Sequence, residues 1–151
     1  MAQSTFNANA TGLVNLYKDA TSGESNWNAA RNAATADGTS NELRAQMSNS
    51  GAQKVARGLL PFDTSSLPDN ASIVSVTLSL YCASKQNDTG SETLYIVGPT
   101  TQPSNTSYTN DDYNDIGGSA VGTVALNSIT LNQFTVIGLS TSIVSLTGYT
   151  K

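Results

Sequence analysis

Apolar and polar residues alternate along much of this chain, and the clearest run is Ile73-Val74-Ser75-Val76-Thr77-Leu78-Ser79-Leu80-Tyr81-Cys82. Val74, Val76, Leu78, Leu80 and Cys82 fall on one side, with Ser75, Thr77, Ser79 and Tyr81 on the other. Successive side chains of an extended chain point to opposite faces, so a period of two predicts a half-buried antiparallel strand; a helix would scatter the same apolar residues around its axis. Upstream, Val55–Phe62 reads as a strand whose end is set by Pro61, which has no N–H to give a ladder. Asp63–Asn70 is a long turn, with Asp63, Ser65 and Ser66 placed to bond nearby backbone and Pro68-Asp69-Asn70 as turn chemistry. Lys85–Gly90 is a polar hairpin loop leading into a strand at Glu92–Val97.

Further strands are expected at Leu43–Met47, Ser119–Leu126 and Phe134–Leu139, the last apolar on both faces and so expected to be covered. Ser4–Ala8 and Leu13–Lys18 carry fainter strand patterns, and Gly23–Gly38 reads as loop with one helical turn at most. Two short helices are predicted. Thr109 can cap Asn110–Asp115, with Asp111 and Asp112 near the positive helix start and Gly117-Gly118 ending it; Thr141 can cap Ser142–Thr147, ended by Gly148. Strands every ten to fifteen residues with minor helices inserted predict one all-β domain over residues 1–151: an antiparallel β-sandwich of jelly-roll type with one or two short helices.

Composition sharpens this. Ser, Thr and Asn number 20, 19 and 15 of 151 residues, while charged residues are only 12 %. Ser and Asn compete for backbone hydrogen bonds and disfavour helix interiors, and Thr suits strands, so the balance fits sheets joined by polar turns. The net charge is −4, and the seven Lys and Arg are scattered singly. Nucleic acid or an anionic membrane surface demands clustered cations, so neither is an expected partner. No apolar run approaches the roughly 20 residues of a membrane-spanning helix. Met1–Thr5 has neither the basic nor the apolar region of a secretion signal, which leaves synthesis without export or a start after signal removal.

Candidate chemistry is sparse. There is no histidine, so no Ser-His-Asp or Cys-His arrangement is available, and the single Cys82 reads as a small core hydrophobe. Of the eleven carboxylates, a glycosidase pair must converge in one cleft, whereas Glu24, Glu42 and Glu92 sit apart in polar stretches. A non-enzymatic module without a cofactor is therefore expected. Asp111, Asp112 and Asp115 are weak candidates for structural calcium, but they lack the alternating ligand spacing of a calcium loop, and the helix cap accounts for two of them. Trp27, Tyr81, Tyr95, Tyr108 and Tyr113 are candidates for stacking on a sugar ring. For each, amphipathic packing with the polar tip at the surface is the favoured alternative.

Arg57-Gly58-Leu59-Leu60-Pro61-Phe62-Asp63-Thr64-Ser65-Ser66-Leu67-Pro68, followed by Ala71–Tyr81, resembles the DNRLRE-type β-sandwich domains. Those domains carry an Arg, an apolar pair, Phe-Asp, Ser-Ser-Leu-Pro, and an alternating strand ending in Leu-Tyr. A fainter correspondence runs from Tyr17-Lys18-Asp19-Ala20 to Gly148-Tyr149-Thr150-Lys151. The resemblance implies a jelly-roll sandwich similar to carbohydrate-binding modules, of the kind found in bacterial surface proteins and phage-encoded proteins. It further implies that Phe62-Asp63 and Ser65-Ser66-Leu67 shape a corner. Relatives continue past the Gly-Tyr-Thr-Lys segment into one or two more strands, so the sandwich is expected to lack that edge or to take it from another chain. Two functional expectations follow. The first is a structural or attachment module of a tailed-phage virion (decoration, fibre or tail), partnered by other virion proteins or its own copies. The second is a carbohydrate-binding or adhesive module, extracellular or at a cell surface.

Overall fold

A computed structural model of the chain describes residues 3–8, 14–21, 24–40, 44–50, 52–86, 90–101 and 108–151. The architecture is all-β and antiparallel. In chain order the elements are β1 (Val14–Thr21), α1 (Glu24–Arg31), β2 (Gly38–Ser40), β3 (Gln46–Ser50), β4 (Ala52–Leu59), β5 (Phe62–Asp63), β6 (Val76–Tyr81), β7 (Thr93–Pro99), β8 (Ile116–Ala125), β9 (Phe134–Leu139) and β10 (Tyr149–Thr150). Single turns of 3-10 helix lie at Asn110–Asn114, Leu126–Ser128 and Thr141–Ile143.

The first half forms a four-stranded sheet in the order β2-β1-β4-β3. The second half is built from three nested antiparallel pairs: β7 with β8, β6 with β9 around them, and β5 with β10 outermost. Nesting of this kind is what one long hairpin produces when it is rolled on itself, the strand logic of a jelly roll. Pro61, buried where β4 gives way to β5, breaks the ladder as its missing N–H requires. Thr64 fastens the outermost pair: its N–H donates to the Gly148 carbonyl (3.0 Å), and its buried hydroxyl lies 2.7 Å from the Ser145 and Gly148 carbonyl oxygens. The turn behind it forms as the sequence predicts, with Asp63 Oδ1 accepting from the Ser65 N–H (3.0 Å) and hydroxyl (2.6 Å).

Several expectations need correction. Residues Glu24–Arg31 make a two-turn helix where a loop is expected, held because α1 packs on β1 and β4 rather than by propensity. The hairpin expected across Lys85–Gly90 is corrected by the pairing on either side of it, because β6 pairs with β9 and β7 with β8. Residues 87–89 lie outside the described residues; before them Lys85 Nζ donates to the carbonyls of Leu126 (3.2 Å) and Ile129 (3.0 Å). Ser4–Ala8 contributes one bridge, Ala8 to Phe62, and no strand. The strand expected at Leu43–Met47 begins at Gln46, and Leu43 lies outside the described residues. The helix expected from Ser142 to Thr147 is one turn capped by Ser140, whose Oγ accepts the Ser142 N–H at 3.4 Å.

Within β6 the predicted face holds for Val76, Leu78 and Leu80, with Leu78 buried opposite the buried Ile137. Val74 falls outside the strand and is exposed, and Cys82 is only half-buried. The expected cover over both faces of Phe134–Leu139 is likewise corrected: Ile137 is buried, but Phe134 and Val136 are open.

Candidate functional site

Two groupings of side chains stand out. The first is internal. Tyr113, in the 3-10 turn Asn110–Asn114, is fully buried with Leu16 and Ala36, and Ala33 and Leu59 pack around them. Its hydroxyl donates to the Ala30 carbonyl at the end of α1 (2.9 Å). Arg57 of β4 lays its guanidinium over the Tyr113 ring, 4.1 Å from the centroid, and donates through Nη1 to the Tyr113 carbonyl (2.5 Å) and through Nη2 to the Arg31 carbonyl. One cation thus ties β4, the end of α1 and the 3-10 turn together, giving a donor to a carbonyl at the helix end and another in the 3-10 turn. The turn itself is set by Asp112, whose carboxylate accepts the Thr109 N–H at 2.6 Å.

Tyr113 is therefore a structural anchor, and the expectation that it offers a stacking face is corrected by its complete burial. Asp111, Asp112 and Asp115 belong to the same turn. Among the described residues no three His, Cys, Asp or Glu side chains gather as a metal-binding set, and Asp112 is turned back on Thr109. Trp27 lies on α1, with its side chain outside the described part of the structure.

Burial pushes the Tyr108 phenol up to about 12, with the charge of Asp112 adding to it. Burial also raises Tyr113, against the opposing pull of Arg57. A phenol whose folded pKa exceeds its unfolded value of about 10 stabilises the fold fully below that pH, and the stabilisation fades as pH climbs towards the folded value. The urea midpoint is therefore expected to fall between about pH 10 and 12, with Tyr108 and Tyr113 ionising later in the folded chain than in the unfolded one. Absorbance at tyrosinate wavelengths alongside circular dichroism checks this; all six tyrosines titrating together near pH 10 in a folded chain would refute it.

The second grouping is the outer face of the β6–β9 ladder. Tyr81 stands opposite Phe134 and Ser79 opposite Val136. The Tyr81 and Phe134 rings meet edge to face, 5.3 Å apart at 65°. Tyr81, Phe134 and Val136 remain 53 %, 69 % and 66 % exposed, an aromatic and aliphatic strip open to water. Tyr95 is also exposed, on the separate β7–β8 ladder. Of the predicted aromatics, then, the structure leaves Tyr81 and Tyr95 accessible, half-buries Tyr108 and buries Tyr113. It adds Phe134 and Val136, whose exposure depends on a non-local pairing.

The strip sits in a part of the chain without ions. No Asp, Glu, Lys or Arg occurs from Asn70 to Ser84 or from Ile116 to Thr150. The ion pairs Lys18–Asp37 (2.5 Å) and Lys54–Asp19 (3.5 Å) lie on the β1–β4 half. A shallow depression of about 230 Å³ lies near the end of β7, lined by Gly98, Pro99, Thr100, Val121, Ser142, Ile143 and Lys151. Its lining includes no Asp or Glu side chain. No helix among the described residues is long and apolar enough to cross a membrane. Comparison with protein-family models, curated proteins and solved structures finds no match.

Proposed function

We propose that this chain is a non-catalytic assembly module, a structural or attachment component of a tailed-phage virion (decoration, fibre or tail), which works by burying its β6–β9 face. The observation that carries this reading is the exposed strip of Tyr81, Phe134 and Val136 in a charge-free region. Together these side chains leave on the order of 300 Å² of largely apolar surface in water, comparable to the largest patch on a typical monomer, which is often functional. Phe and Val present no polar tip, so the strip suits a protein surface better than a solvated sugar. The virion setting draws on the likeness of residues 57–81 to domains of phage-encoded proteins.

A second reading, a carbohydrate-binding or adhesive module of a secreted bacterial protein, is favoured by the exposure of Tyr81 and Tyr95. One pair of measurements separates the two. Mass spectrometry of density-purified phage particles, from a lysate in which the chain is made, is expected to find it at stoichiometric level. Its recovery only as free protein overturns the virion reading. A glycan array is expected to be blank. Hits abolished by Tyr81→Ala would establish the second reading in its place.

A further inference from the structure

We infer that β6 pairs, antiparallel and about a two-fold axis through Ser79, with β6 of a second copy of this chain, joining two β6–β9 ladders into one four-stranded sheet. This rests on the assembly reading above and names a partner for the edge that is free among the described residues, beside that same face.

The direction of the backbone groups comes first. Cys82 donates its N–H to the Gln133 carbonyl (3.1 Å) and accepts from the Asn132 N–H (2.8 Å), so both its polar groups face the β9 side. Antiparallel ladders bond alternate residues to the same neighbour. With Leu80 opposite Thr135, Leu78 opposite Ile137 and Val76 opposite Leu139, the even-numbered residues bond β9. Thr77, Ser79 and Tyr81 therefore turn their N–H and C=O groups to the other edge, where β6 has no strand partner among the described residues. Natural sheets guard such an edge with Lys, Pro or a bulge. β6 (Val-Thr-Leu-Ser-Leu-Tyr) has no charge and no Pro, and its six successive pairs with β9 run without a register shift.

Three features point to a copy of the same chain. Centred on Ser79, the pairing sets Ser79 against the partner's Ser79 and Thr77 against the partner's Tyr81. The bulky ring thus meets a small side chain, and the three facing pairs exchange about six backbone hydrogen bonds. Charge agrees: the whole molecule carries −4, yet this strip is neutral, so two copies meet here without burying like charges. A basic partner attracted by the acidic chain would be drawn elsewhere. The geometry also extends the exposed strip, because Tyr81, Ser79 and Thr77 share its face with Phe134 and Val136. Pairing edge to edge leaves the strip itself in water, so the contact is small beside the roughly 800 Å² per partner of a standard interface, and a weak dimer of roughly micromolar affinity is expected.

The test uses sedimentation equilibrium of the whole chain from about 1 to 300 µM, a range that brackets that expectation. The wild type is expected to dimerise. Ser79→Lys and Ser79→Glu each place like charges across the two-fold axis at an exposed position, and each alone is expected to weaken the dimer at least tenfold with an unchanged circular dichroism spectrum. Mixing the two is expected to restore a dimer, because the opposed charges then attract. Independently of any variant, the Thr77, Ser79 and Tyr81 amides are expected to exchange hydrogen slowly in concentrated protein and fast on dilution. A dimer indifferent to both substitutions, a mixture that stays monomeric, or concentration-independent exchange overturns the pairing while leaving the assembly reading in place. A chain monomeric throughout and absent from purified particles removes both.

Discussion

Tyr113→Ala is expected to cost about 3–5 kcal/mol of unfolding free energy, a large share of a small domain's total stability. The ring is fully buried against Leu16 and Ala36, so truncation leaves a cavity that strands on one side and the 3-10 turn on the other cannot close. Two further losses add to it. The Ala30 carbonyl loses its donor, and the Arg57 guanidinium loses the ring beneath it. Burial already works against the Arg57 charge, so the ring beneath it matters to the guanidinium. Tyr113→Phe should keep the packing and lose only the bond to Ala30, about 1 kcal/mol. Arg57→Ala should be strongly non-additive with Tyr113→Ala, since each removes part of what the other loses. Urea denaturation of the three variants and the double variant checks this. A Tyr113→Ala loss below about 1.5 kcal/mol would mean the ring is not the anchor described.

Gly122→Val is expected to be the next most damaging change, at about 3 kcal/mol, the upper end of overpacking costs. A Cβ built at Gly122 would lie 2.7 Å from the Gly138 carbonyl oxygen and even closer to a Leu139 methyl. The methyl can swing aside, but the carbonyl belongs to β9 and can move only with its ladder to β6. β8 and β9 approach closely here, also joined by the Ser140 N–H donating to the Val121 carbonyl at 2.7 Å. Gly138→Ala is the control, because a Cβ there meets nothing within 4 Å. It should be neutral within about 0.5 kcal/mol. Thermal and urea melts of both variants test the contrast; equal stability would mean the two strands are not held at this spacing.

What the sequence disclosed follows from how local each signal is. The inward face of β6, the break at Pro61 and the Asp63–Ser65 turn depend on neighbouring residues, and all were readable from them. The pairing of β6 with β9 was not, because alternation specifies a strand's face and leaves its neighbour open. The exposure of Phe134 and Val136 was hidden for the same reason: their strand looks apolar throughout, and only the rolled topology shows which side lacks a cover. α1 was missed because Glu24–Arg31 has little intrinsic helical drive and takes its form from β1 and β4. Tyr113 was misplaced because nothing local distinguishes a tyrosine beneath an arginine from one on a surface. The charge-free stretches, by contrast, were present in the bare sequence as a signal of the open face.

The nesting of β7–β8 inside β6–β9 inside β5–β10 also favours an order of assembly in which the inner pair closes first. Closing the inner pair joins Thr93 to Ala125, the next joins Val76 to Leu139, and the outermost joins Phe62 to Thr150. Each closure spans a longer loop than the one within it, and each shortens the loop the next must close. Folding by this route zips from the inside outwards, at the slow rates of a topology dominated by distant contacts. On the ribosome β6 emerges well before β9 exists, so its uncharged edges stay bare while the intervening residues are made. Crowded synthesis is thus the stage at which this chain is most exposed to wrong partners.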